Sequence, residues 1–232
     1  MSRVTRRYRG AALTSAALAA GGVVLLGTSL TVDEQPPIDL WIRRRTSTPG
    51  PRRLSKLVAP LFPLGLPGGY ITISYLLARS LRRRRRSGGP AIVTAAWAGW
   101  LVHRGLKLVF VRERPDRPGQ RRRLDSYPSG HTTGTTALAV TAARVLARHG
   151  LISRRRAAVI GLGAPVVMGV YRLIDDEHWA TDVIGGWLLG ASIAFTCDAL
   201  LGARGGRSDP TRGPAVKRRG SRPHVHREPP TS

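Results

Sequence analysis

Long apolar runs parted by clumps of arginine limit this chain more than any other feature. Stretches of Ala, Leu, Val and Gly near residues 10–30, 57–78, 90–111, 131–146, 157–174 and 182–201 recur along it. Each approaches the ~20 residues an α-helix needs to cross the hydrocarbon of a bilayer. Backbone polar groups in lipid must be satisfied within the chain, and continuous apolar runs do this as helices. The expected fold is all-α, a polytopic membrane helical bundle of about six transmembrane helices. The 38 Lys+Arg against 13 Asp+Glu among 232 residues give a formal net charge of +25. Alone, that excess would point to nucleic acid or an anionic surface. Its placement argues otherwise: the arginines flank the apolar runs as topology signals do, and no nucleic-acid partner is expected.

Residues 1–9, with Arg3, Arg6, Arg7 and Arg9, read as a basic cytoplasmic N-terminus. Residues 10–203 read as one membrane-embedded domain, and 204–232 as a disordered basic tail. The run 10–30 also has the charged start and small-residue end (Gly27, Ser29) of a cleaved signal peptide. It exceeds the usual length of a signal core, so a retained first span is expected. The next stretch reads as a loop broken by Pro36, Pro37, Pro49 and Pro51, with Ile38, Leu40, Trp41 and Ile42 as a short interfacial patch. Pro60, Pro63 and Pro67 interrupt the second run. With six spans both termini share a side, together with Arg82–Arg86 and Arg148–Arg156, which makes that side cytoplasmic. The vote is weakened by Arg43, Arg44, Arg45, Arg52, Arg53 and Lys56 in one opposite loop and by Arg112, Arg114, Arg117, Arg121, Arg122 and Arg123 in another. Basic outer loops suit an anionic substrate arriving at that face. Cys197, the one cysteine, reads as a small apolar filler.

Residues able to do chemistry gather at span ends on the outer side. Tyr127-Pro128-Ser129-Gly130-His131 opens directly into an apolar run. A helix start built from Ser, Gly and Thr leaves backbone N–H groups free and carries partial positive charge, so it can hold phosphate, with His131 beside it. Lys107 lies seven residues before Arg114, two helical turns, which would put both cations on one face before Pro115 stops the helix. Arg172 is followed by Asp175, Asp176, Glu177, His178 and Asp182. On a helix, His178 and Asp182 at i,i+4 would let the carboxylate hold one imidazole nitrogen and present the other as nucleophile or base. The same acidic run offers oxygen ligands for a divalent ion, although neighbouring helical residues point around the axis and do not converge. His103 reads as a packing residue.

Lys107 followed after six residues by Arg114-Pro115, then Pro128-Ser129-Gly130-His131, then Arg172, five residues, His178, three residues and Asp182 resemble a known three-part motif. It is that of the type 2 phosphatidic acid phosphatase superfamily, which also includes the vanadium haloperoxidases. Tyr171 stands where that family often has Ser. The resemblance implies a helical phosphatase core from the third span onward. It implies that Lys107, Arg114 and Arg172 clamp the phosphate oxygens, with Ser129 and the Gly130 N–H as neutral donors. His178 would attack phosphorus to give a phosphohistidine, Asp182 would fix its tautomer, and His131 would act as acid and then base. Neither metal nor cofactor is implied. The implied substrate is a lipid phosphate or diphosphate of the phosphatidic acid, phosphatidylglycerol phosphate or polyprenyl phosphate class, in a plasma membrane, at a site facing the extracytoplasmic side. The alternative is an inactive relative serving as lipid transporter or scaffold; a haloperoxidase is disfavoured because those relatives are larger and soluble. Oligomeric state is left open.

Overall fold

The structure, a computed structural model, describes residues 3–30, 35–116 and 121–202. The tail expected at 204–232 and Arg117 lie outside the described residues. The described elements are α1 (Arg3–Ser29), α2 (Pro37–Thr46), α3 (Pro49–Val58), a 3₁₀ turn (Ala59–Leu61), α4 (Phe62–Gly65), α5 (Pro67–Arg83), α6 (Gly89–Val109), α7 (Gly130–Arg148), α8 (Arg154–Ile174) and α9 (Ala180–Leu201).

Helix α7 forms the centre, with α5, α6, α8 and α9 packed on it. Its polar residues allow this because they satisfy themselves: the hydroxyls of Thr133, Thr136 and Thr141 donate to the carbonyls of Ser129, Thr132 and Ala137. What remains outward is a small, β-branched surface suited to close helix contact. At Gly190 of α9 an added Cβ would lie 2.5 Å from the Thr136 Cβ and 2.7 Å from the Thr133 carbonyl. Helix α1 buries Ala12, Ala16 and Val23 along one face, and Ser192 of α9 donates to the Ala16 carbonyl at 2.9 Å. Leu18 and Leu25 on α1 and Val159 and Leu162 on α8 point outward, as a lipid-facing surface requires. At the end where α1 begins, the buried Asp198 carboxylate accepts from the Tyr8 hydroxyl at 2.7 Å, from Arg144 at 2.9 Å and from Arg148.

Among the described residues, three helical segments are long and apolar enough to cross a membrane: Arg6–Ser29, Arg154–Ile174 and Ala180–Leu201. Where the second span is expected, a helix pair, Pro49–Gly65 and Pro67–Arg83, passes the same test only when taken together and is bent by 66° where its prolines fall, as a broken span or a re-entrant loop is. Helices α6 and α7, which carry His103, Arg104, Lys107 and a run of threonines, do not pass on length and apolarity, so the expected count of six spans is not reached by that measure. The loop expected before the second span is instead helical, as α2 and α3. Pro37 and Pro49 stand at the first helical position, where the missing N–H costs nothing.

Candidate active site

The ends of α6 and α8 and the starts of α7 and α9 meet at one end of the bundle, and the expected chemistry collects there. A cavity of about 570 Å³ is lined by Lys107, Arg114, Gly130, His131, Arg172 and His178, residues from three distant segments. Phe62 and Gly65 of α4, His103 and Arg104 of α6, and the carboxylates of Asp125, Asp175 and Glu177 complete much of its wall. Two expected site residues stand behind this wall. Asp182 is fully buried with its carboxylate Oδ2 3.5 Å from the His178 Nδ1. Ser129 is also fully buried, its hydroxyl 2.9 Å from that of Thr132 and its N–H donating to the Asp182 carbonyl at 3.0 Å. Ser129 thus builds the turn, and its hydroxyl is engaged with that of Thr132.

Two local geometries differ from the sequence expectation. Lys107 and Arg114 do not share a helix face, because α6 ends at Val109 and the following residues are extended, pairing Arg112 with Asp125. The cations converge all the same, on Asp125. Lys107 Nζ donates to its carbonyl at 2.5 Å, and Arg114 reaches its carboxylate through Nε at 2.9 Å and Nη2 at 3.1 Å. Nor do His178 and Asp182 share a helix. His178 lies in the turn before α9, and Asp182 folds back from the first turn to accept the Trp179 N–H at 2.8 Å, which fixes where the helix begins.

Ser129 stands at the N-cap position of α7 without a side-chain cap bond, and the Gly130 end of that helix, with its uncapped first N–H groups, lines the cavity. His103 packs against Gly130 so closely that a Cβ there would lie 2.5 Å from its Nε2. The His131 ring stacks on Phe62 with centroids 5.0 Å apart, and the Arg172 guanidinium also lies over the Phe62 ring, 5.5 Å from its centroid. Phe62 was missed in the sequence because it sits in a proline-broken apolar run that reads as lipid-facing.

The charges are arranged for an anion. Glu177 Oε2 lies 2.8 Å from Arg114 and 3.2 Å from Arg172, so carboxylates occupy cations that a phosphate would bind. Burial alone would raise the Asp125 carboxyl, but the Arg114 bond and the charges of Lys107, Arg114 and Arg123 outweigh it and hold it well below the ordinary range. Burial, then Arg114, Lys107, Arg172 and His131, push the His178 imidazole well below its usual pKa, so it is neutral and has a lone pair to offer. His131 Nε2 and Arg172 Nε are buried without a hydrogen-bond partner among the described residues, and His178 Nδ1, also without one, stands 3.5 Å from the Asp182 carboxylate. The acidic run does not gather around one point: Asp176 pairs with Arg43 at 2.9 Å, Asp175 with Arg172 at 3.3 Å, and Glu177 with Arg114.

Two further residues were invisible as site components. Arg112 was one of several loop arginines, and Asp39 one charge within an apolar patch, yet both are buried and bonded to the Asp182 region. The lone carboxylate between Ile38 and Leu40 was the available signal, since a charge in an apolar patch needs a partner.

Comparison with known proteins places the chain in a family. The model of a family described as the PAP2 superfamily matches residues 88–204. Decaprenylphosphoryl-5-phosphoribose phosphatase of Mycobacterium tuberculosis is 32% identical over 149 residues, 59% of this chain and 73% of that protein. Undecaprenyl-diphosphatase of Sulfolobus acidocaldarius is 37% identical over 70 residues, 30% of this chain and 31% of that one. Among solved structures, the transmembrane PAP2 type phosphatidylglycerolphosphate phosphatase from Bacillus subtilis superposes with a TM-score of 0.68 at 20% identity, covering 79% of this chain and 94% of its own. At that identity the likeness speaks for the fold: this chain is a multi-pass helical membrane protein.

Proposed function

The chain belongs to the PAP2 superfamily, and from that premise we propose that it is a metal-independent lipid phosphatase. It hydrolyses a phosphate monoester or diphosphate of a membrane lipid through a phosphohistidine intermediate. The observation that carries this is the convergence of Lys107, Arg114, Gly130, His131, Arg172 and His178 on one cavity.

The phosphoryl group takes the position now held by the Glu177 and Asp125 carboxylates, with Lys107, Arg114 and Arg172 on its non-bridging oxygens and the α7 N-terminus adding neutral donors. These fixed cations meet the charge of the transition state, the task a divalent ion has in other phosphoryl-transfer sites. His178 attacks phosphorus in line through Nε2 while the P–O bond to the lipid breaks, and Asp182 beside Nδ1 supports the positive charge the ring acquires. His131 gives its proton to the departing oxygen, then takes one from the water that cleaves the N–P bond and frees inorganic phosphate and His178.

On this reading residues 10–203 are the membrane domain and the cavity opens on the extracytoplasmic side of the plasma membrane. The basic ends Arg82–Arg86 and Arg148–Arg156 lie at the opposite end of the bundle, which supports that orientation. The names of the sequence relatives make polyprenyl phosphates and diphosphates the first substrates to test. Purified protein in detergent with chelator present is expected to release phosphate from such lipids, to be inhibited by vanadate, and to lose turnover as His178→Ala. Phosphate release that requires added Mg²⁺, or a fully active His178→Ala protein, would contradict the proposal.

A further inference from the structure

Behind the cavity wall lies a second layer of buried charge that the three-part motif does not include. Arg112 Nη1 donates to Asp182 Oδ1 and to the Thr181 hydroxyl, both at 2.6 Å. Its Nη2 donates to Asp39 Oδ2 at 2.7 Å and to Gln35 Oε1 at 2.9 Å. Asp39 in turn accepts the Thr181 N–H at 2.9 Å and the Thr181 hydroxyl at 2.7 Å. The side chains of Arg112, Asp39 and Asp182 are 4%, 0% and 0% exposed, so this cluster works at low dielectric, where each charge needs its partner. Asp39 lies on α2, outside the family-matched residues 88–204.

We propose that Arg112 and Asp39 are positioning residues for the phosphoryl-transfer reaction, locking the Asp182 carboxylate in the orientation that serves His178. This rests on the phosphohistidine reading above. Arg112 engages Oδ1 of Asp182. The Ser126 hydroxyl at 2.5 Å and the Trp179 N–H at 2.8 Å hold Oδ2, the oxygen 3.5 Å from His178 Nδ1. With both oxygens fixed, the carboxylate cannot turn away from the imidazole. The charge count matters as much as the geometry. Two carboxylates and one guanidinium leave a net charge of −1 beside a ring that becomes cationic as it is phosphorylated. Without Arg112, the Asp39 and Asp182 carboxylates would be left as buried like charges with no cation between them. Without the Asp39 charge, the Arg112 cation would draw on Asp182 alone and weaken its support of the imidazolium.

The test compares Arg112→Gln, Asp39→Asn and the double variant, each purified in detergent, for kcat, KM and inhibition by vanadate. Each single variant is expected to lose kcat on the order of tenfold or more, as loss of the group that orients a base or nucleophile does. KM and vanadate inhibition should stay within about twofold, because Lys107, Arg114 and Arg172 are untouched. The double variant, which restores the net charge of −1, should turn over faster than Arg112→Gln alone. A packing role predicts instead that the double variant is at least as damaged as the worse single one. Wild-type kcat in Arg112→Gln, a parallel loss of vanadate inhibition and kcat, or a double variant no faster than Arg112→Gln would each overturn the proposal. If Arg112→Gln does not fold, Arg112→Lys and Asp39→Asn carry the same test through the split between kcat and KM. His178→Ala is the control: if it stays active the phosphohistidine reading itself fails, whereas if it is inactive and Arg112→Gln is not, only the positioning role fails.

Discussion

His178 is buried in the turn before α9 with three cations and a second imidazole around it, and this keeps its ring neutral. An ordinary histidine titrates near pH ~6.5, so the depressed group should show no titration between pH 7.5 and 5.5 when followed by NMR in the substrate-free protein. The unfolded chain takes up that proton first. The stability linked to this group is therefore complete above pH ~6.5 and declines as the pH falls below it. A titration of His178 centred near its ordinary value would contradict the charge arrangement. Glu177 leads to a second expectation, because its carboxylate competes with phosphate for Arg114 and Arg172. Glu177→Gln should be inhibited by vanadate at lower concentration, by roughly fivefold if the displaced ion pairing is worth about 1 kcal/mol; weaker inhibition would show that Glu177 helps to build the site. At this scale the motif residues were legible because their chemistry is unusual near a membrane. Arg112 was not, since it looks like Arg114 two residues on. Arg114 reaches the cavity and Arg112 the buried cluster although residues two apart in extended backbone start out on one side, so their different partners come from the tertiary surroundings, which sequence alone does not reveal.

The helices owe their close approach to glycine and threonine more than to large apolar side chains. Gly190→Ala would push a Cβ into the Thr136 Cβ and the Thr133 carbonyl, and should lower stability by about 1–3 kcal/mol in detergent unfolding. Gly163 on α8 has nothing within 4 Å of its Cβ position, so Gly163→Ala should be neutral or stabilising by about 0.5–1 kcal/mol. Equal effects at the two positions would mean that α7 and α9 are not packed as described. The long helices α1, α8 and α9 were readable from their apolar length. The pieces α2 to α4 were not, because prolines that mark breaks in a span also begin short helices, and a ten-residue helix leaves too little apolar periodicity to separate it from a loop. That ambiguity hid Phe62, which the bend carries to His131.

Across the whole molecule, the two ends of the bundle do different work. One end holds the cavity. The other is closed by Asp198, which ties α1 to α7 and α9 through Tyr8, Arg144 and Arg148. Asp198→Asn would leave two arginines short of their buried partner and should cost about 1–3 kcal/mol of stability while leaving KM unchanged, because the cavity is at the far end. A changed KM with unchanged stability would contradict this division. The claim on which the account depends is covalent transfer to one imidazole, and a rapid-quench experiment with a ³²P-labelled lipid phosphate or diphosphate, in the presence of chelator, tests it most directly. The account predicts acid-labile label on His178 that turns over with phosphate release and is absent from His178→Ala. Label on any other residue, or phosphate release by His178→Ala at the wild-type rate, would contradict it.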